Sequence, residues 1–258
     1  MLVTQPESIQ RQASGSRIGL AIAGGGPVGL VYEIGALHAL DEALDGLDLN
    51  HLNVYVGVSA GAVMAALLAN RLSTGQICHI FISNESEEHP LDPRIFLMPA
   101  LGEYWRRLSS APRLLLEAFW RYLQNPFDLS LLQSLTRLGK ALPSGFFDNE
   151  PIYQYLAHLW SAPGRTDDFR QLKNKLYVIA VDLDTGESVK FGAPGYDHVP
   201  ISRAVQASSA LPGLYPPVEI DGHSFVDGAL QKTMHASVAL QEELDDLVID
   251  RRSQAAHE

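Results

Sequence analysis

Between Leu49 and Asn70 the chain carries 22 consecutive residues without a charge, and their internal punctuation restricts the fold more than any other feature. The length is nominally enough to cross a bilayer. The run opens on Asn50, His51 and Asn53, however, and holds Gly57, Ser59 and Gly61 at its centre. A spanning helix does not explain those breakers, whereas a buried strand, a sharp turn and a buried helix do. We read Val54–Val58 as the strand and Ala60 to about Arg71 as the helix. Elements this apolar need covering on both sides. With 46% hydrophobic and 19% charged residues, the chain has the material for a substantial core, which excludes global disorder.

A similar unit precedes this one. Ile18–Ala23 is a short apolar run ending in three glycines, the pattern of a buried strand entering a tight loop. Pro27 to Leu40 follows as a helix, with Pro27 in the first turn and Leu30, Ile34, Leu37 and Leu40 at helical spacing. The order strand–helix–strand–helix predicts an α/β fold with a parallel sheet and helices on its faces. Further along, Glu150–Leu159 reads as a helix. Leu176–Val181 and Ser188–Phe191 read as a hairpin across Asp184-Thr185-Gly186. Ile201–Ser208 is helical, Val218–Ile220 and Ser224–Val226 are short strands, Val238–Leu244 is a helix and Leu247–Asp250 a last strand. At 258 residues the chain corresponds to one large domain or two small ones.

Charge narrows the function classes. Lys and Arg total 19 against 30 Asp and Glu, a formal −11, which argues against a nucleic-acid partner. The single Cys78 excludes an internal disulfide and a multi-Cys metal site, and suits a reducing cytoplasm. Residues 1–16 are polar and lack the apolar stretch of a signal peptide, so a frayed tail is expected. Residues 84–100 read as an acidic, proline-containing loop. Residues 102–140 differ: six basic and three acidic residues make this window +3, leaving −14 elsewhere. Within it, 112–124 reads as a helix with one narrow polar stripe and Leu, Phe and Trp over the remaining faces.

Three short patterns carry chemistry. Gly57-Val58-Ser59-Ala60-Gly61 matches the G-x-S-x-G elbow, in which small neighbours let a serine sit in a strained strand-to-helix turn above the sheet. Gly24-Gly25-Gly26-Pro27-Val28-Gly29 also joins a strand to a helix. It satisfies the dinucleotide fingerprint G-x-G-x-x-G, but the acidic residue expected after the second strand is missing. Alone it also suits a tight turn or an oxyanion hole, with backbone N–H groups converging on one oxygen, and the serine elbow on the adjacent strand favours the latter. Nine histidines are present and none sits in a motif. Only His235 and His257 follow Asp227, as a nucleophile–acid–histidine order would require. Asp227-Gly228-Ala229 puts a carboxylate in a turn at a strand end, which alone marks no more than a turn.

Taken in order, Gly24–Gly29, Gly57–Gly61 and Asp227–Ala229 resemble the patatin-like phospholipase family. The stretches Gly145–Pro151, Ala207–Gly213 and Pro216–Val218 extend the likeness, which covers about 17–78 and 145–250. The resemblance implies a three-layer α/β/α fold with a mostly parallel central sheet. Residues 17–250 then form a single catalytic domain with a helical insertion at about 84–144, and 251–258 are a tail. It implies a lipid acyl hydrolase acting on a lipid or acyl ester, with no metal and no cofactor. Ser59 is then the nucleophile and Asp227 its base. The N–H groups of Gly24, Gly25 and Gly26, with Ala60, form the oxyanion hole; Gly57 and Gly61 build the elbow; Gly29 and Gly228 support the loop and the dyad. Two departures stand out. Val28 occupies a position where the family often has Arg or Lys, and the chain stops within about ten residues of its last strand, so an incomplete sheet edge is expected.

The 102–140 window has two readings on this basis. Its helix packs on the sheet or in a dimer contact, or it caps the acyl site and touches a lipid surface as a peripheral membrane contact. Three functions compete for the whole chain: a serine esterase of lipid acyl groups, an inactive module of the same fold that binds a lipid or protein, and a dinucleotide-binding protein.

Overall fold

Two strand–helix units at the start of the chain set the layers. A computed structural model describes residues 17–83, 145–242, 244 and 246–250. The N-terminal stretch 1–16, the segment 84–144 with the helix read at 112–124, and residues 251–258 lie outside them. β1 (Ile18–Ile22) leads into α1 (Gly26–Ala43), and β2 (Val54–Val58) into α2 (Ala60–Ala69). β2 is buried at all five positions and α2 at all ten, as an element without a polar face must be. The uncharged run is therefore strand, turn and helix. No helix of the described residues is long and apolar enough to cross a membrane.

The remaining elements are α3 (Thr74–Cys78), α4 (Glu150–Trp160), β3 (Lys175–Asp182), β4 (Ser188–Phe191), α5 (Ile201–Ser208), β5 (Val218–Ile220), β6 (His223–Asp227), α6 (Ala236–Leu240) and β7 (Asp246–Asp250). Side chains alternate across the strands. Leu20, Ile22, Tyr55, Val178 and Ala180 join the core shared with α1, α2, α4 and α5. Ala21, Val54, Val56, Val58, Tyr177 and Ile179 face the other way, onto Val238 and Ala239 of α6. The result is an α/β/α arrangement whose second helical layer, among the described residues, is one short helix.

The sheet is mixed. β7, β1, β2 and β3 pair in parallel, while β4 and β6 run antiparallel to β3, and β5 antiparallel to β6. Five of the seven strands therefore point one way. β7 lies along the whole of β1, from Ile18 to Ile22, and is the end strand of the sheet among the described residues. The hairpin forms where expected, closed by Gly186 at φ 72°.

The pairing at β3 positions the site. Val178 and Ile179 pair with β2 and also with β4, so β2 and β4 take opposite edges of β3. Ala180 and Val181 pair with β4 and also with β6, so β6 shares the edge that β2 occupies. β2 and β6 therefore meet end to end along one edge, Val58 opposite Ile179 and Asp227 opposite Ala180.

Two elements differ from the pattern in the sequence. The helix read at Val238–Leu244 runs Ala236–Leu240 instead. Glu242 is held against the sheet, accepting from Lys175 Nζ at 2.5 Å and Tyr177 Oη at 2.6 Å, and the chain must then extend to pair as β7. α3 has no counterpart in the sequence analysis, although Ser73 and Gln76 form a capping box at its start.

Candidate active site

The elbow is a steric necessity. Ser59 follows the last residue of β2 with φ 54° and ψ −122°, a backbone region that costs a side-chain-bearing residue about 1–3 kcal/mol. A methyl group on Gly57 would lie 2.3 Å from the Gly61 carbonyl oxygen, and one on Gly61 would lie 2.6 Å from the carbonyl oxygens of Ile22 and Ala23. These obstacles are backbone and cannot swing away. Gly61→Ala is therefore expected to destabilise the fold by about 3 kcal/mol or more, read as a lower denaturant midpoint in chemical unfolding; an unchanged midpoint would contradict the packing.

Asp227 ends β6 across the seam. Its Oδ2 accepts the Ser59 hydroxyl at 2.7 Å, and its Oδ1 accepts the Ala229 N–H at 2.8 Å. Gly228 lets the chain turn there, since a Cβ would meet the Ile179 carbonyl oxygen at 2.4 Å. Asp227 is 3% exposed and Ser59 8%. Burial pushes the Asp227 carboxyl above the ordinary carboxylate range, against the two hydrogen bonds that draw it down. The serine and the carboxylate thus touch directly. Among the described residues no histidine lines the pocket around them. His235 stands at the N-cap position of α6 instead, and burial pulls its imidazole down; His257 lies outside the described residues.

Two helix N-termini converge on the same space. Gly25 caps α1 and Ser59 caps α2, so Gly26 and Ala60 occupy first helical positions whose N–H groups have no intrahelical acceptor. Gly26 makes the turn into α1 at φ 60°, which glycine adopts without strain. Gly29 packs on the loop, its N–H donating to the Gly25 carbonyl at 2.9 Å. Gly24 behaves differently. Its N–H donates to the Thr233 carbonyl at 2.8 Å, which removes it from the donor set read from the sequence. Its contribution is space, because a Cβ there would press on Ser59 Cβ at 3.1 Å.

Around these groups lies a pocket of about 310 Å³. Leu30, Val63, Phe147, Ile152, Leu211 and Leu214 make its wall apolar, with Ser59, Asp227 and the glycine loop on its polar side. Val28 projects from α1 and is exposed. A low-polarity pocket with a hydroxyl–carboxylate pair beside two positive helix ends can bind an apolar group and stabilise a developing negative charge next to a nucleophile.

One further cluster of titratable groups lies among residues that do not line the pocket. Asp182, Asp184 and His223 bring ligand atoms within 4.8 Å of one another. Asp182 Oδ1 accepts from the Asp184 N–H and its Oδ2 faces His223 Nδ1 at 3.1 Å. Asp182 closes the β3–β4 turn through the Asp184 and Thr185 N–H groups, and His223 joins it from the start of β6.

Sequence reading missed Thr233, the apolar wall beyond Leu30, and Ser208. Ser208 accepts the Ser59 N–H at 2.9 Å. In the sequence it stands within the Ala207–Gly213 stretch of the family likeness, as a polar residue closing a helix, with no role attached to it.

Comparison with known proteins supplies the remaining information. The patatin-like phospholipase family profile matches residues 20–240. Uncharacterized NTE family proteins of Mycobacterium bovis and of Mycobacterium tuberculosis strain H37Rv are each 26% identical over 236 residues, covering 90% of this chain and 29% of their own length. The chain thus spans under a third of those relatives. Among solved structures, VipD from Legionella pneumophila aligns at TM-score 0.42 and 16% identity, over 84% of this chain and 46% of its own. The type III effector ExoU, from the type III secretion system of Pseudomonas aeruginosa, aligns at TM-score 0.38 and 20% identity, over 78% and 40%.

Proposed function

The chain belongs to the patatin-like phospholipase family, and on that premise we propose that it is a serine hydrolase of lipid acyl esters, with Ser59 as nucleophile and Asp227 as base. One observation carries the proposal. The Ser59 hydroxyl donates to the Asp227 carboxylate at 2.7 Å on the polar side of an apolar pocket.

The acyl chain lies against the apolar wall, with its ester carbonyl over Ser59. Ser59 Oγ attacks the carbonyl carbon as its proton passes to Asp227 Oδ2. An unperturbed aspartate, at a pKa of about 3.9, is a weak base. Burial raises Asp227 above that range, which brings its proton affinity closer to the task. The negative charge on the former carbonyl oxygen is met by the N–H groups of Gly25, Gly26 and Ala60 and by the ends of α1 and α2. Asp227 returns the proton to the leaving alcohol, and the acyl group remains on Ser59. Water then attacks the acyl-serine, giving its proton to Asp227, and the acid departs as Ser59 recovers its hydrogen. No step calls on a metal or a cofactor.

Incubation with a fluorophosphonate and with p-nitrophenyl esters of graded chain length tests the reading. The expected result is labelling of Ser59 and kcat/KM rising at least about 10-fold from acetate to a medium-chain ester, since each added methylene buries apolar surface worth about 0.8 kcal/mol. Folded protein that neither labels nor hydrolyses any ester would make the chain a binding module of the same fold.

A further inference from the structure

The end of α5 grips both members of the dyad by their backbones. The Ser59 N–H donates to Ser208 Oγ at 2.9 Å, and the Asp227 N–H donates to the Ala210 carbonyl at 3.0 Å. The Ser208 hydroxyl in turn donates to the Ile179 carbonyl at 2.6 Å. Ser208 itself is fully buried.

The seam in the sheet explains why a hydroxyl is needed there. Ile179 pairs with Val58, the last residue of β2, and Ala180 with Asp227, the last of β6. Where one strand stops and the next begins, the ladder is interrupted. It interrupts beside Ser59, whose backbone has left the strand and whose N–H must find another acceptor. Buried backbone groups are almost always paired. A serine hydroxyl both accepts and donates, so Ser208 serves the Ser59 N–H and the Ile179 carbonyl at once. An alanine can do neither.

We propose that Ser208 is the positioning residue of the dyad, its hydroxyl bridging the β2–β6 seam and setting where Ser59 sits relative to Asp227. The proposal rests on the assignment of Ser59 and Asp227 as nucleophile and base. The strained backbone at Ser59 persists only where its surroundings over-determine it, and the Ser208 bridge is one of those constraints. A misplacement of the nucleophile by about 1 Å lowers turnover by about 10²-fold. Substrate is held by the apolar wall, so its binding does not depend on the bridge.

Ester kinetics and amide hydrogen exchange on the whole chain test this together. Ser208→Ala should lower kcat by about 10²-fold and leave KM within about 2-fold. The Ser59 amide should exchange faster, while the amides of β1 keep their protection. Ser208→Thr, which retains the hydroxyl, should recover most of kcat. Wild-type kcat in Ser208→Ala, or unchanged exchange at Ser59, would overturn the proposal, as would an equal loss of protection throughout the sheet. Should Ser208→Ala fail to fold, exchange in the wild-type protein answers the question. Protection of the Ser59 amide matching that of β2 supports the bridge, and exchange at the rate of an open loop removes it. Ester hydrolysis missing from every form, with the Ser59 amide protected, would defeat the hydrolase reading and not the bridge.

Discussion

Replacing Ser59 with alanine should abolish fluorophosphonate labelling and lower ester hydrolysis on the order of 10⁴–10⁶-fold. The size follows from what is removed. In the proposed mechanism the hydroxyl is the group that forms a bond to the acyl carbon, and the groups around it act through it. What remains is the helix ends and the apolar wall, which bind and polarise an ester that has no nucleophile to meet. Residual catalysis over water should therefore be no more than about 10³–10⁴-fold. Alanine keeps the Cβ that packs against Gly24 and the N–H that bonds Ser208, so the fold should survive. Circular dichroism and a melting curve alongside the assay check that. Retained hydrolysis in the folded variant would assign the chemistry to another residue.

Asp227→Asn should lower kcat/KM by about 10³–10⁴-fold and yet raise the melting temperature at pH 7. Asparagine can still accept the Ala229 N–H that Asp227 now accepts, so the turn is preserved while the base is lost. The opposite effects share one cause. Burial raises the Asp227 carboxyl above its unfolded value, so the folded state holds that proton more tightly than the unfolded chain. Stability from this group is complete below the ordinary carboxylate pKa of about 3.9 and is lost as pH rises through the raised value. Activity moves the other way, because only the ionised carboxylate can accept the serine proton. The wild-type rate should thus climb with pH through the raised value while stability falls. The stabilisation by Asp227→Asn should disappear below about pH 3.9, where both side chains are neutral. Melting curves at pH 3 and pH 7 measure it, with roughly 2–4 °C expected per kcal/mol in a chain of this size. A lower melting temperature at pH 7 would mean that the charged form is stabilised by its partners more than burial penalises it.

Local patterns were legible where one face or one turn determined the outcome. β2 and β4 begin and end where their residues predicted, and so does α5. Each is bounded by turn residues, and none holds an internal Gly or Pro that breaks its pattern apart from Gly57, which the packing of α2 on β2 requires. The last helix moved because Glu242 and the pairing of β7 with β1 claimed residues that are locally suited to a helix. Long-range pairing of that kind leaves no periodic trace. The same holds for Thr233, whose carbonyl takes the Gly24 N–H. Nothing around Gly24 in the chain distinguishes it from Gly25 or Gly26.

The sequence by itself determined the elbow. Gly57 and Gly61 flank Ser59 because backbone atoms crowd within 2.3–2.6 Å of where their Cβ atoms would lie, and this local constraint is written as G-x-S-x-G. It also determined that Asp227 ends a strand in a glycine turn. Only the tertiary structure decided that these two residues meet. They lie 168 positions apart, and their contact arises because β2 and β6 run out, end to end, along the same edge of β3. It also decided that Gly24 has no N–H to offer and that the end of α5 secures both residues. A turn is set by sterics within a few residues, which the chain order records. A strand edge is shared between segments far apart in sequence, and which of them occupy it depends on the packing of the whole sheet.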